Sequence, residues 1–302
     1  MKIAVTGASG LIGRTLVPRL QADGHEVLRL VRRTPQSTEE HRWAPEHRRI
    51  DPTLLVDVDA VVHLAGEPIR PRPWTRAYQQ RLRDSRLDGT TTISEALAAA
   101  ATDDPGRKRV LVSGSGIDYY PDSGDQPVTE DDGPGDSFLA RLCVEWEAAT
   151  APAAEAGVRV VNLRTGLVLG PGAPLVSILG LVFRLGLGGR VGSGRQYWPW
   201  ISLTDEVEAI VHLLGSDVSG PVNLTAPNPV TNAEFTRTLG QVLHRPTPLP
   251  VPGFALSLTL GDFARSSILG GRRALPRKLL DSGFTFAHTD LDGALRAALS
   301  RR

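Results

Sequence analysis

The stretch IAVTGASGLIGRTL, residues Ile3 to Leu16, decides how the rest of the chain is read. A short β-branched run passes directly into Gly7, Gly10 and Gly13, and from there into a helical pattern running from Leu11 to Ala22. Glycine at these positions permits a tight turn, close approach of backbone to a pyrophosphate, and close helix–strand packing. The helix start presents free N–H groups and the positive end of the helix dipole to phosphates. The spacing therefore predicts a dinucleotide loop, with Ser9, Leu11 and Ile12 completing the cradle between the glycines. Pro18 inside the helix removes a backbone hydrogen bond and is expected to bend it.

The strands that follow have the same character. EVLRLV, DAVVHLAG, RVLVSG and RVVNLRTG are near-continuous apolar runs ending in small residues, as strands buried on both faces of a parallel sheet are. Amphipathic segments separate them, notably the long one after Thr75, a candidate N-cap. The alternation predicts an α/β fold with a doubly wound parallel sheet. After residue 165 the pattern changes. GLGGRVGSGRQYWPW is irregular, as a loop over a ligand or a small hairpin would be. SLTDEVEAIVHLLG reads as a helix and GPVNLTA as a strand, while Thr231 and Glu234 have capping-box spacing at the start of another helix. The proline-rich HRPTPLPVPGFA connects to a last helical segment. The expected organisation is a dinucleotide-binding domain over residues 1–165, completed by 202–226, and a smaller α/β substrate domain over 166–302.

Composition narrows the function class. The 302 residues include 34 basic and 33 acidic ones, and a net charge of +1 gives no electrostatic case for nucleic acid or an anionic membrane. One cysteine, Cys143, excludes an intramolecular disulfide and a cysteine-based zinc site and suits a reducing compartment. The seven histidines lack metal-site spacing, so no metal is expected. The first residues leave no room for a signal peptide, and PLVSILGLVF is too short to span a bilayer. A soluble cytoplasmic protein acting on a small molecule is expected, with the oligomeric state open.

Three places carry candidate chemistry. The second strand ends in Arg32 and Arg33, with no acid to accept from a ribose 2′-hydroxyl, so NADP(H) is expected over NAD(H). Leu64, Ala65 and Gly66 form a small-residue wall after the strand DAVVH, where the adenosine part would lie. SGSGIDYY ends the next strand with Ser113, Ser115, Tyr119 and Tyr120, hydroxyls at the end of the sheet where substrates bind. Glu67 and Asp118 are secondary acid/base candidates. Arg86 and Arg164 are cations able to lower a phenol's pKa or hold a phosphate. Trp198 and Trp200 fit a lid over the ligand and a buried anchor equally well.

Together TGASGLIG, HLAGEPI, RDSRLDGT, VSGSGIDYY, FLARLCVEWEAA, LRTGLVLGPG, LGLGGRVGSGRQYWPWISLTDEV and GPVNLTAPNPVTNAEFTRTLG resemble the atypical branch of the extended short-chain dehydrogenases/reductases, the sugar-nucleotide epimerase-like group. The closing PVPGFALSLTLGDFARSSILGGRRALPRKLLDSGFTF resembles that branch's C-terminal domain of unknown function. The resemblance implies a Rossmann domain, an NADP(H)-type cofactor and a small substrate domain. It places Ser115, or else Ser113, at the superfamily's catalytic serine. It also implies a Tyr-x-x-x-Lys pair on the helix at 137–149. That pair is missing, since the two frames hold Phe138 with Leu142, or Leu139 with Cys143. Ser202 is a second departure, standing where relatives commonly carry His. Two readings follow: an oxidoreductase or epimerase whose proton chemistry has moved to Ser115, Tyr119 or Tyr120, or an NADP(H)-binding sensor or regulator without turnover. In the first, Phe138 and Leu142 pack a wall beside the nicotinamide.

Overall fold

The computed structural model describes residues 1–248 and 250–300. Leu249, in the proline-rich connector, and Arg301 and Arg302, at the end of the range expected for the substrate domain, lie outside the described residues. The chain begins with β1 (Lys2–Thr6), α1 (Gly13–Ala22), β2 (Glu26–Val31), β3 (Glu40–Ala44), β4 (Arg49–Ile50) and β5 (Ala60–His63). It continues with α2 (Arg76–Asp103), β6 (Val110–Gly116), β7 (Pro127–Val128), α3 (Phe138–Ala148), α4 (Ala151–Glu155), β8 (Arg159–Thr165) and β9 (Leu167–Leu169). Then come α5 (Pro174–Arg184), β10 (Tyr197–Trp198), β11 (Trp200–Ser202), α6 (Leu203–Gly215), β12 (Gly220–Leu224), β13 (Val230–Thr231), α7 (Asn232–Leu243) and α8 (Gly253–Leu260). Strand β14 (Arg273–Ala274) follows, and Leu291–Leu299 is the last helix.

Among the described residues the main sheet has eight strands in the order β12-β8-β6-β5-β1-β2-β3-β4. Its pairings are parallel except at the β3–β4 edge, which is antiparallel. The five apolar runs predicted from sequence are the central strands, and GPVNL closes one edge. The edge strands β3 and β4 went unread because EHRWA and RI carry charge; within them only Glu40 and Trp43 are buried. The doubly wound parallel sheet thus gains an antiparallel edge.

Burial on both faces is what the continuous runs require. Ile3, Val5, Val62, Val112 and Leu163 pack with Leu16 and Leu20 of α1 and Ile210 and Leu213 of α6. Ala4, Val61 and Leu111 pack the other way, with Ile93 and Leu97 of α2 and Ala153 of α4. Each fully buried Val, Leu or Ile contributes about 1.5–3 kcal/mol. A second core joins Leu169, Trp198, Trp200, Phe235 of α7 and Leu295 of the last helix. Trp200 is 0 % exposed, and Trp198 Nε1 donates to the Ile268 carbonyl at 3.2 Å, so both tryptophans anchor this core.

The expected caps are present. Thr75 Oγ1 accepts from the Tyr78 N–H at the start of α2, Ser202 caps α6, and Thr231 and Glu234 complete a capping box on α7. Pro18 lies on the exposed side of α1, which continues to Ala22. The irregular stretch before Trp198 does not fold into a hairpin of its own: β10 pairs with β13 and β11 with β9. The final segment supplies β14, which pairs with β7 in a separate two-stranded sheet. No helix among the described residues is long and apolar enough to cross a membrane.

Candidate dinucleotide and substrate site

The glycine loop leaves β1 at its C-terminal end, where ligands of doubly wound sheets bind. Gly7 has φ +68°, and a Cβ there would meet the Leu64 carbonyl carbon at 2.8 Å. A Cβ on Gly13 would be 2.3 Å from the Gly7 oxygen. These two glycines are therefore needed by the fold itself. Gly10 differs. It is exposed, and its Cβ would meet only the Gly7 oxygen, at 3.2 Å.

The loop turns on a bond from the Gly10 N–H to the Gly7 carbonyl at 2.9 Å, and helical bonding starts with Arg14 N to the Gly10 carbonyl. The N–H groups of Ser9, Leu11 and Ile12 have no acceptor among the described residues. Unpaired donors at a helix start, beside an exposed glycine, fit the pyrophosphate of a dinucleotide. The wall is held by Thr6, whose Oγ1 accepts from Leu64 N and Ala65 N, both at 3.1 Å. With both bonds accepted, the Thr6 proton goes to His63 Nδ1 at 2.8 Å. His63 is fully buried, and desolvation pushes its pKa down to about 4. It is a neutral strut.

At the end of β2 the two arginines part company. Arg33 is engaged as a fork on Glu40, with contacts of 2.7 and 2.8 Å. That fork, helped by the Gln36 N–H, holds the Glu40 carboxyl down to about 2. Arg32 is exposed and makes no hydrogen bond or ion pair among the described residues. It is the guanidinium available to a 2′-phosphate.

Beyond the wall, Ser115 and Tyr120 meet two residues the sequence did not single out, Glu147 of α3 and Asn223 of β12. Ser115 Oγ donates to Glu147 Oε1 at 2.7 Å. Arg164 of β8 grips the same carboxylate with two bonds, of 2.8 and 2.9 Å. Burial works against the Arg164 charge, but this fork outweighs it and its pKa lies above the ordinary value. Its Nη1 also donates to the Tyr120 hydroxyl at 2.8 Å, which in turn donates to Asn223 Oδ1 at 2.8 Å. Tyr120 is 0 % exposed, and burial pushes its pKa up to about 12 against the pull of Arg164. The Tyr120 hydroxyl is thus sealed, with one bond given to Asn223 and one taken from Arg164.

Tyr119 is half-buried, with the Arg164 Cζ 3.4 Å from its ring centroid. Ser113 is 0 % exposed and its Oγ has no hydrogen-bond partner among the described residues. Glu147 and Asn223 gave no local signal, since their roles depend on how α3 and β12 dock against β6 and β8.

The helix without Tyr and Lys is filled with packing groups. Leu139 and Leu142 join Trp74, Tyr78 and Leu82 in one cluster, and the Phe138 ring meets Trp74 edge-on at 5.9 Å. Cys143 is buried, and desolvation raises its thiol to about 12. Next to this network is a cavity of about 90 Å³, lined by Asp118, Thr165, Gly166, Trp198 and Arg272 among others. Arg272, from the C-terminal segment, pairs with Asp118 at 3.1 Å and donates to the Tyr120 carbonyl. Burial raises the Asp118 pKa while Arg272 opposes it. A larger depression of about 780 Å³ lies at the strand starts, near Lys2, Glu26 and Asp57. That is the end of the sheet away from the glycine loop. No group of three or more potential metal ligands occurs among the described residues.

Comparison with known proteins agrees with this geometry. Residues 3–225 match the model of the NAD dependent epimerase/dehydratase family, and residues 251–298 match a domain of unknown function, DUF1731. An epimerase family protein of Mycobacterium bovis is 47% identical over 300 residues, covering 99% of this chain and 98% of the relative. The human epimerase family protein SDR39U1 (isoform 2), crystallised with NADPH, superposes with a TM-score of 0.86 at 34% identity, over 99% of both chains. A nucleoside-diphosphate sugar epimerase from Corynebacterium glutamicum gives a TM-score of 0.81 at 32% identity, covering 99% of this chain and 58% of that one.

Proposed function

The chain belongs to the NAD dependent epimerase/dehydratase family, and from that premise we propose that it is an NADP(H)-dependent oxidoreductase or epimerase acting on a small carbonyl, alcohol or nucleotide-sugar-like compound. The observation that carries the reading is the glycine loop, whose unpaired Ser9, Leu11 and Ile12 N–H groups lie beside the exposed Gly10. In this reading residues 1–165, completed by 202–226, hold the dinucleotide, and 166–302 hold the substrate. Arg32 selects the 2′-phosphate. The NADPH crystallised with human SDR39U1 supports the same cofactor choice.

Bound NADP(H) supplies or accepts the hydride. One proton remains for the chain to manage, and in this reading Tyr119 manages it. Its ring lies on the Arg164 guanidinium, and Glu147 keeps that guanidinium from swinging away. Ser115, whose own proton goes to Glu147, fixes the carboxylate and leaves its oxygen to accept. Asp118 and Arg272 line the cavity where a substrate's polar group would lie.

The second reading, a cofactor-binding regulator without turnover, draws on the sealed Tyr120 and the apolar packing of α3. One experiment separates the two: calorimetric titration with NADPH, then NADPH oxidation in the presence of carbonyl compounds and nucleotide sugars. Binding with turnover supports the enzyme. Tight binding with no turnover across the panel supports the regulator.

A further inference from the structure

Arg86 of α2 is a buried cation without a carboxylate. It is 7 % exposed, its Nη1 donates to the carbonyls of Glu67 and Leu82 at 3.1 Å, and its Cζ lies 4.8 Å from the Trp146 ring centroid. Its Nε and Nη2 make no hydrogen bond among the described residues, yet neither is among the polar atoms fully sealed from solvent. The ionisable groups around it are Glu67, Tyr78 and Cys143, and none forms an ion pair with it. Its buried neighbours are treated differently: Arg164 has Glu147 and Arg272 has Asp118. An arginine keeps its proton even when buried, so this charge persists at a desolvation cost that no ion pair offsets, only two carbonyls and the Trp146 ring.

Its position gives the charge a role. A Cβ on Gly66 would lie 3.7 Å from the Arg86 Cζ, so the guanidinium borders the exposed end of the small-residue wall. Gly7 touches the same wall at Leu64. The strand order β6-β5-β1-β2 puts Arg32 and the wall on opposite sides of the glycine loop. With the adenosine end at Arg32, the wall therefore borders the other half of the dinucleotide, not the adenosine part the sequence suggested, and that half extends over β5, past Arg86, towards Ser115 on β6.

We propose that Arg86 sets the redox preference of the site: its uncompensated charge, at the wall where the nicotinamide half passes, favours the reduced dinucleotide, whose ring is neutral, over the oxidised one, whose ring is cationic. The two forms differ by one hydride, which cancels the ring charge. Like charges repel strongly where water is excluded and salt screens poorly. Each tenfold preference for the reduced form raises the potential of the bound two-electron couple by about 30 mV. Such a site rests with reduced cofactor and reduces its substrate first. An enzyme that begins by removing hydride needs the opposite bias. The inference rests on the proposed NADP(H) site and selects the reductase over the epimerase within it.

The test is calorimetric titration of the full chain with NADPH and, separately, NADP⁺, in wild type, Arg86→Gln and Arg86→Lys. Wild type is expected to bind NADPH about tenfold more tightly or better. Arg86→Gln, which keeps a donor for the two carbonyls, should bring the ratio close to one, and Arg86→Lys should retain the preference. Equal or tighter NADP⁺ binding by wild type overturns the proposal, and so does an unchanged ratio in a folded Arg86→Gln protein. Should that variant not fold by near-UV circular dichroism, the wild-type ratio still decides. If neither dinucleotide binds wild type, the cofactor reading falls as well; if both bind equally, only the role of Arg86 falls.

Discussion

The two ends of the candidate site are built on opposite principles. At the loop end, the proposed function depends on side chains that are missing: Gly7, Gly10 and Gly13 line the passage from β1 into α1, and unpaired backbone donors would do the binding. At the far end it depends on side chains that must find one another: Arg86 from α2, Ser115 and Tyr119 from the end of β6, Glu147 from α3 and Arg164 from β8. The first arrangement is local in sequence and can be broken by adding atoms. The second is assembled from distant elements around charge, and is broken by removing one member. That contrast orders the expected effects of mutation.

The largest effect tests the assembled end. Tyr119→Phe should lower kcat by about 10²–10⁴, the usual worth of a positioned acid or base, on whichever substrate the panel reveals. Tyr120→Phe should instead cost about 1–3 kcal/mol of stability, because it leaves Asn223 Oδ1 and Arg164 Nη1 unpaired in the interior. Steady-state kinetics and urea unfolding on both variants check the split. Full activity in Tyr119→Phe would remove the phenol from the mechanism.

Gly10→Val tests the loop end. With only the Gly7 oxygen near its Cβ, the variant should fold and melt close to wild type. NADPH affinity should nevertheless fall by more than about a hundredfold, since the new side chain fills the space the pyrophosphate needs. Normal binding by a folded variant would mean that the loop has another purpose.

A stability measurement sharpens the contrast at Glu206, beside the assembled end. This carboxyl is fully buried with Thr165 Oγ1 as its hydrogen-bond partner, and desolvation pushes its pKa up to about 8. The folded state therefore holds a proton that the unfolded state releases above the ordinary glutamate range. Stability contributed below that range is lost as pH rises towards 8 and levels off beyond it. Glu206→Gln removes the charge and keeps an acceptor for Thr165. It should stabilise the protein by roughly 2–4 kcal/mol at pH 8 and by little at pH 4.5. Urea unfolding at the two pH values reads this directly.

The smallest effect lies at the edge of the loop end. Arg32→Ala should lower NADPH affinity about tenfold to a hundredfold, towards that for NADH, the worth of a charge-assisted contact to phosphate. Arg33→Ala should change cofactor preference less, because its fork is already engaged on Glu40. Titrating NADPH and NADH against both variants separates arginines that look equivalent in sequence.

What the sequence determined by itself is the part that depends on nearest neighbours along the chain. Apolar runs ending in small residues specify strands buried on both faces, and the glycine spacing specifies a strand–turn–helix junction. Thr75, Ser202 and Thr231 specify helix starts, because each cap closes a bond within three residues. Tertiary structure alone decided which polar groups are buried, paired or left open. Tyr119 and Tyr120 are adjacent, yet one is half-buried against Arg164 and the other sealed between Arg164 and Asn223. Arg32 and Arg33 diverge because Glu40 arrives on β3, a strand too charged to be read from its pattern. Glu147 and Arg86 acquire meaning only from what does or does not pack against them. Charge, desolvation and hydrogen-bond partnership are properties of a position in space, set by residues tens to more than a hundred positions apart. No local pattern encodes them.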